Sequence, residues 1–210
     1  MENLIKYPRT PHLPWSPGRT NDDRVLPDTK HFEGKEVEVS IKYDGENSTL
    51  YNNYIHARSL DSRDHESRHW LKSFHAQVKN QIPEGWRICG ENLFAQHSIC
   101  YENLESYFLA FSIWDDRNVC LSYDDTTEFC IEFGISQVTT IFRGDWRDEK
   151  FNTDIFKDLY PEHEGYVVRL VDEFKFEDFG KSVAKYVRIN HVQTDKHWMY
   201  KKVISNKLRK

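Results

Sequence analysis

Lys42-Tyr43-Asp44-Gly45 closes a run in which apolar and polar residues alternate from Val37 to Lys42. The alternation predicts a strand with Val37, Val39 and Ile41 on one face and Glu38, Ser40 and Lys42 on the other. A lysine at a strand end, opposite the apolar face, can project into a cleft. It becomes a nucleophile there if burial or nearby cations hold it neutral. Gly45 permits a tight turn with close backbone approach. A lone K-x-D-G tetrapeptide is common, and its lysine usually pairs with the aspartate at the surface. Further charged and aromatic segments follow this one. They are His56-Ala57-Arg58-Ser59, Gly90-Glu91-Asn92, Phe108-Leu109-Ala110-Phe111-Ser112-Ile113, Glu164-Gly165-Tyr166-Val167-Val168-Arg169 and Val183-Ala184-Lys185-Tyr186-Val187-Arg188. Glu91 lies 49 residues after Lys42, Glu164 73 after Glu91, and Lys185 21 after Glu164.

In this order the segments resemble the motifs of the covalent nucleotidyltransferase superfamily, which contains ATP-dependent DNA and RNA ligases and mRNA capping enzymes. The His-Ala-Arg-Ser and Gly-Glu-Asn segments are most similar to the RNA ligase family. The arm Pro8-Arg9-Thr10-Pro11-His12-Leu13 is similar to RNA-ligase-domain proteins of bacteria and phages. The resemblance covers roughly residues 6 to 198. It implies that Lys42 attacks the α-phosphate of ATP, releases pyrophosphate and holds AMP as a phosphoramidate. It implies a cofactor site of Lys42, Asp44, Gly45, Arg58, Glu91, Phe111, Glu164 and Lys185. In it Arg58 contacts the ribose or the polynucleotide end, Glu91 the ribose, Phe111 the adenine face and Lys185 the α-phosphate. Lys42, Lys185 and Arg58 are the catalytic candidates. Glu164, with Glu91 and Asp44 as weaker candidates, would help hold Mg²⁺ or Mn²⁺. Hard oxygen donors suit these ions, charge on a transferred phosphoryl group calls for fixed cations and a metal, and stacking on an aromatic contributes ~1–3 kcal/mol per base.

Two positions depart from the pattern. Ser40 and Ile41 stand where many ligases carry an acid that reads the adenine amino group, and Glu38 lies four residues before Lys42. Val187 stands where a second lysine is usual, so either a phosphate contact is missing or a bulge re-aims Arg188; Lys181 is a weaker substitute. Arg169 reads as a surface or paired arginine unless it touches a substrate phosphate. Arg9 and Arg19 read as loop anchors or as contacts to nucleotide or 5′-phosphate. His97 reads as a structural hydrogen-bonding group, His163 and His191 as solvated or supporting groups, and Asp61, Arg63, Asp64 and Arg68 as solvated surface.

The elements that must position these residues make an α+β chain rich in antiparallel strands. Strands are predicted over 37–42, 48–51, 54–58, 87–93, 107–114, 138–142, 165–171 and 183–189, with a hairpin at Asn52-Asn53. Trp70, Phe74, Val78 and Ile82 recur every four residues on an amphipathic helix over 66–82, as a core stripe. Further helices are predicted over 124–133, capped by Gly134, over 153–160, and from Asp195 onward. Five of the seven prolines fall within residues 1–30, which predicts an irregular arm that packs Leu13 and Trp15. The expected architecture is an antiparallel-sheet nucleotidyltransferase core (ATP-grasp-like ligase adenylation) with peripheral helices, as one domain over 1–210 with a basic helical tail over 190–210. Only 22 residues follow Arg188, fewer than the five strands of ~5–6 residues plus turns that an OB-fold needs, so none is expected.

Composition bounds the function. The 210 residues carry a net charge of −5 and 14% aromatics, with a mean hydropathy of −0.77. These values fit a folded, water-soluble chain, and the charge alone does not suggest nucleic-acid binding. Yet residues 181–210 hold nine basic residues against one acid, a segment of +8 on a body of −13, which suits phosphate binding at one place. Four cysteines stand singly, which argues for reduced, mostly buried thiols rather than zinc or redox chemistry. No signal peptide or membrane span is read, so a cytoplasmic location is expected. No standard phosphate loop is present. The expected activity is an ATP-dependent RNA ligase acting in RNA repair on 5′-phosphate and 3′-OH ends, with nicks in a duplex as a further candidate substrate and an end-processing kinase or phosphatase as a candidate partner. The alternatives are a minimal DNA ligase, an mRNA guanylyltransferase and an inactive RNA-end-binding module.

Overall fold

The computed structural model describes residues 4–61, 63–151, 162–189 and 202–210. Two antiparallel sheets organise it. The first has the order β10-β8-β1-β7, built from β1 (Glu36–Lys42), β7 (Thr140–Asp145), β8 (Gly165–Leu170) and β10 (Val183–Val187). The second has the order β3-β2-β4-β5-β6-β9, built from β2 (Glu46–Leu50), β3 (Ile55–Ala57), β4 (Arg87–Asn92), β5 (Phe108–Trp114), β6 (Val119–Cys120) and β9 (Phe174–Lys175). Helices α1 (His69–Val78) and α2 (Tyr123–Glu132) pack on the second sheet, and short helices α3 (Asp148–Phe151) and α4 (Phe179–Ser182) complete the set. Among the described residues no helix is long and apolar enough to cross a membrane.

The period-two pattern of β1 works as its composition dictates. Val37 and Val39 join Tyr166, Val168, Leu170, Ala184 and Tyr186 in one core with Leu13 and Phe32. The opposite face carries Glu38, Ser40 and Lys42, in register with Arg169, Val167 and Gly165 of β8, and Val167 is in turn opposite Lys185. One face of the sheet therefore builds the core while the other gathers the charged residues.

The hairpin at Asn52-Asn53 closes through Tyr51 N–H to the Tyr54 carbonyl at 2.8 Å. Leu71 and Val78 of α1 are buried with Trp70 and Phe74 packed beside them, and 3-10 turns at Glu66–Arg68 and Lys79–Gln81 flank that helix. Ser122 caps α2 by accepting from Asp125 N–H at 3.1 Å. Cys89, Cys120 and Cys130 are buried thiols, whereas Cys100 is exposed. Residues 9–26 run without regular structure, yet they cover the open edge of β10. Lys185 N–H donates to the Pro11 carbonyl and its own carbonyl accepts from Leu13 N–H.

One expectation needs correction, and others fall outside the described residues. The helix over 153–160 and residues 195–201 of the final helix lie outside the described residues. Residues 202–210, expected to continue that helix, are extended instead: their backbone bonds to residues 94–104 rather than to itself. Strands β6 and β9, two residues each, are too short to show any period.

Candidate active site

The two sheets face one another across a cleft of about 970 Å³. Lys42, Gly45, Arg58, Glu91, Phe111 and Lys185 all line it. Lys42 Nζ reaches from the end of β1 to Glu164 Oε2 at 2.5 Å, across the ladder position where Lys42 opposes Gly165. Burial alone would pull the Lys42 ammonium down, but Glu164, Glu91 and Asp44 outweigh it and the net shift is upward. Lys42 is therefore a cation in this state. The Lys185 ammonium is held below its ordinary range by burial and then by Lys42. Burial pushes the Glu91 carboxyl up to about 8, against the pull of Lys42. Its Oε1 accepts Gly45 N–H at 3.1 Å. A Cβ on Gly45 would sit 2.6 Å from the Asn92 carbonyl, so only glycine permits this approach.

Asp44 faces elsewhere. Its Oδ2 accepts from Ser98 and Ile99 N–H at 2.8 and 3.1 Å, and His97 Nδ1 stands 3.9 Å from Oδ1. Among the described residues no three His, Cys, Asp or Glu side chains converge as a metal cage. Glu164 beside Lys42 suits instead a hard cation that takes its other ligands from phosphates and water, whereas Glu91, with its carboxyl pushed up, is the poorer donor.

Phe111 is brought to the cleft by a β-bulge. Cys89 pairs with Ser112 and Gly90 with Ala110, which leaves Phe111 as the extra residue. Tyr7, 5.2 Å away edge-on, shares that end of the cleft with Val167 and Val183. Arg58 and Arg9 also line the cleft, and burial followed by Arg9 lowers the Arg58 guanidinium. Arg9 Nη1 is held by the Asp22 carbonyl at 2.9 Å, while Arg19 bonds the Pro14 carbonyl at 3.0 Å. Lys181 is exposed and lies outside the cleft lining.

Arg169 borders the cleft and stands opposite Glu38 in the β1–β8 register, and among the described residues it makes no salt bridge. It is buried, donating to the Leu121 carbonyl at 2.8 Å and the Leu170 carbonyl at 3.0 Å, and so ties β8 to the second sheet. The β8–β10 register runs unbroken from Val183 to Val187, so no bulge turns Arg188 inward. Val187 is buried, and Arg188 Nε donates to the His163 carbonyl at 2.6 Å. His163 is half-buried, its ring 6.2 Å from Tyr101 and 5.7 Å from Tyr43, whereas His191 lies outside the described residues.

Asp61, Arg63 and Asp64 are exposed as expected, but Arg68 is buried. The 3-10 turn before α1 turns it inward, where its Nε and Nη2 meet Glu46 Oε2 and Oε1 at 2.6 and 2.5 Å. Both side chains border the cleft and are about a tenth exposed, so removing one leaves the other unpaired where water can reach it. Glu46→Ala is expected to cost about 1–3 kcal/mol in urea unfolding, with a Glu46→Met/Arg68→Met pair recovering most of it; a cost below about 0.5 kcal/mol would place the pair among fully exposed ones.

Glu38 is 1% exposed and accepts Thr140 Oγ1–H at 2.8 Å. Burial pushes its carboxyl up to about 7, with Thr140 and Arg169 pulling back. A raised carboxyl binds its proton more tightly folded than unfolded. Its contribution is thus complete below the unfolded value near 4.5 and lost as pH rises through about 7. Glu38→Gln is expected to gain stability over wild type as pH rises from about 5 to about 8, by up to ~3 kcal/mol. Equal urea midpoints for the two proteins at both pH values would show that Glu38 is not held protonated.

Solved structures place this fold among those of ATP-dependent RNA ligases. An archaeal ATP-dependent RNA ligase is 12% identical with a TM-score of 0.61, covering 88% of this chain and 48% of that one. A Naegleria gruberi RNA ligase mutant with ATP and Mn is 17% identical with a TM-score of 0.54, covering 92% and 63%. Another, with AMP and Mn, is 17% identical with a TM-score of 0.53, covering 80% and 54%. The chain spans about half to two-thirds of the length of these proteins. No curated protein sequence matches it. The RNA ligase family model matches residues 35–187, and the chain belongs to that family.

Proposed function

We propose that the chain is an ATP-dependent RNA ligase that works through a lysyl-AMP intermediate and joins RNA 5′-phosphate ends to 3′-OH ends in RNA repair. The observation that carries this is the Lys42–Glu164 contact at 2.5 Å in a cleft that also presents Lys185, Arg58 and Phe111. The RNA ligases with which it shares a fold bear ATP, AMP and Mn in their described forms, in accord with ATP and Mg²⁺ or Mn²⁺ here.

Lys42 must lose a proton before it can attack. Glu164 stabilises the ammonium through its contact with Nζ, so that contact must break and the proton pass to water before attack. The freed Nζ electron pair forms a bond to the α-phosphorus, the bond to the bridging oxygen breaks, and pyrophosphate leaves. Lys185 steadies the charge that develops on the α-phosphate oxygens. Phe111, Val167 and Val183 offer apolar surface to the base, and Glu91 is placed to hydrogen-bond a ribose hydroxyl. A divalent cation held by Glu164 would supply further positive charge to the phosphates. In the second step an RNA 5′-phosphate oxygen takes AMP from Lys42, and in the third a 3′-OH attacks that phosphate and AMP departs.

The test is sealing of 5′-phosphorylated single-stranded RNA, nicked RNA duplex and nicked DNA with ATP or GTP. RNA sealing with ATP is expected, with adenylylated RNA accumulating when the 3′ end is blocked. Nucleotide transfer from GTP alone, or sealing of DNA alone, would overturn the reading in favour of a guanylyltransferase or a DNA ligase.

A further inference from the structure

We propose that the extended C-terminal segment 202–210 is a strap that sets the position of the nucleophile loop, with Asn206 as its positioning residue. The inference rests on the reading of Lys42 as nucleophile. The segment lies beyond the residues matched by the family model, 35–187.

Asn206 is 1% exposed, and its side chain meets partners with both ends. Oδ1 accepts Tyr101 N–H at 2.9 Å, and Nδ2 donates to the Leu93 carbonyl at 2.8 Å. Its own N–H donates to the Phe94 carbonyl at 3.0 Å, and its carbonyl accepts Tyr107 O–H at 2.9 Å. Gln96, Leu104, Lys207 and Arg209 add backbone bonds of 2.7–3.0 Å on either side. The ends of residues 93–107 are joined by Leu93 N–H to the Tyr107 carbonyl at 2.7 Å, and the strap adds the bonds that fix the interior of that loop.

That loop grips the residue two past Lys42. The Tyr101 hydroxyl oxygen accepts Asp44 N–H at 2.9 Å, and Ser98 and Ile99 N–H hold the Asp44 carboxylate. The route is short and made of buried, directional bonds: Asn206 to Tyr101, Tyr101 to Asp44, Asp44 to the Lys42 backbone. Asp44 is thus spent on placement rather than on a metal. The basic residues of the strap fit the same role. Lys207 Nζ lies 2.7 Å from Glu102 and Arg209 Nη1 3.7 Å from Glu105. Both pairs are exposed and add little stability of their own, but they set two of the strap's cations beside acids of that loop.

The test uses the full chain with Asn206→Ala, Asn206→Asp and Tyr101→Phe. Expected for Asn206→Ala is a single-turnover adenylylation rate at saturating ATP lower by on the order of 10–100-fold. The half-saturating ATP concentration should stay unchanged. Asn206→Asp keeps the acceptor for Tyr101 N–H but sets an oxygen against the Leu93 carbonyl, so it should slow the reaction as well. Combining Asn206→Ala with Tyr101→Phe should lose less than the product of the two single losses, because both act through one route. An Asn206→Ala rate within about twofold of wild type per folded molecule, or losses that multiply independently, would overturn the proposal. Hydrogen exchange provides a check that does not need activity. The amides of Asp44, Ser98 and Ile99 should exchange faster in Asn206→Ala, with exchange in β1 and β8 unchanged. Unchanged exchange at those three amides overturns the strap, whereas a wild type that takes no AMP while those amides do respond contradicts the ligase reading instead.

Discussion

Replacing Lys42 with alanine is expected to lower ATP-dependent joining of RNA ends by at least about 10⁴-fold, a loss in the range seen on removal of a nucleophile. The loss should be confined to one part of the reaction. An RNA that already carries AMP on its 5′-phosphate does not need the lysine as an AMP carrier. Lys42→Ala should therefore seal such ends within about tenfold of wild type, since Lys185, Arg58 and the shape of the cleft are retained and only one cation of the site is lost. The split separates a nucleophile from a general cation of the cleft, whose removal would slow both reactions alike. The rate of adenylylation in wild type should also rise with pH. Glu164, Glu91 and Asp44 hold the Lys42 ammonium above its ordinary range, so the neutral amine is the scarce form.

Gly165→Ala is the second change with a large expected effect, and it acts through the backbone. Gly165 opposes Lys42 on one side and Val187 on the other. A Cβ there would lie 1.9 Å from the Tyr186 carbonyl oxygen, a backbone atom that cannot rotate away. The β8 and β10 strands must separate, which draws Lys185 away from Glu164 and Lys42. Adenylylation should fall by on the order of 10²-fold or more, with a stability loss of about 1–3 kcal/mol in urea unfolding. Gly134→Ala is the control for substitution at a glycine. It has φ +63 and nothing within 4 Å of the added Cβ, so it should cost backbone strain at a helix end while leaving the cleft chemistry alone. Full activity in Gly165→Ala would mean that β10 does not need this close approach.

Much of the site was legible because its chemistry sits on regular strands. The alternation from Val37 to Lys42 gave the correct face to Lys42, since a strand buried on one side must turn every second residue to the other. Glu91, Glu164 and Lys185 lie on or just before strands whose order is read from short, strongly patterned segments. Features that depend on distant pairing were not legible. The resemblance singles out Phe111, and it does line the cleft, but nothing in Ala110-Phe111-Ser112 signals the bulge that puts it there. Arg68 belongs to a charged run that reads as surface, and only the fold brings Glu46, 22 residues earlier, beneath it. Arg169 reads as a paired or exposed cation, yet it spends its donors on carbonyls of its own and the facing sheet. Asn206 lies 113 residues from its Leu93 partner, in a tail whose composition speaks of charge rather than of one buried amide. In each case the deciding contact is long-range, and local propensity carries no record of it.

The central claim is that AMP travels on one lysine. The direct measurement is intact-mass analysis of the full chain after incubation with ATP and Mg²⁺ without RNA, followed by peptide mapping and by addition of pyrophosphate. The account predicts a mass gain of one AMP, mapped to the peptide containing Lys42, reversed by pyrophosphate and absent in Lys42→Ala. An adduct on any other residue, or none in a protein shown to be folded, would contradict it.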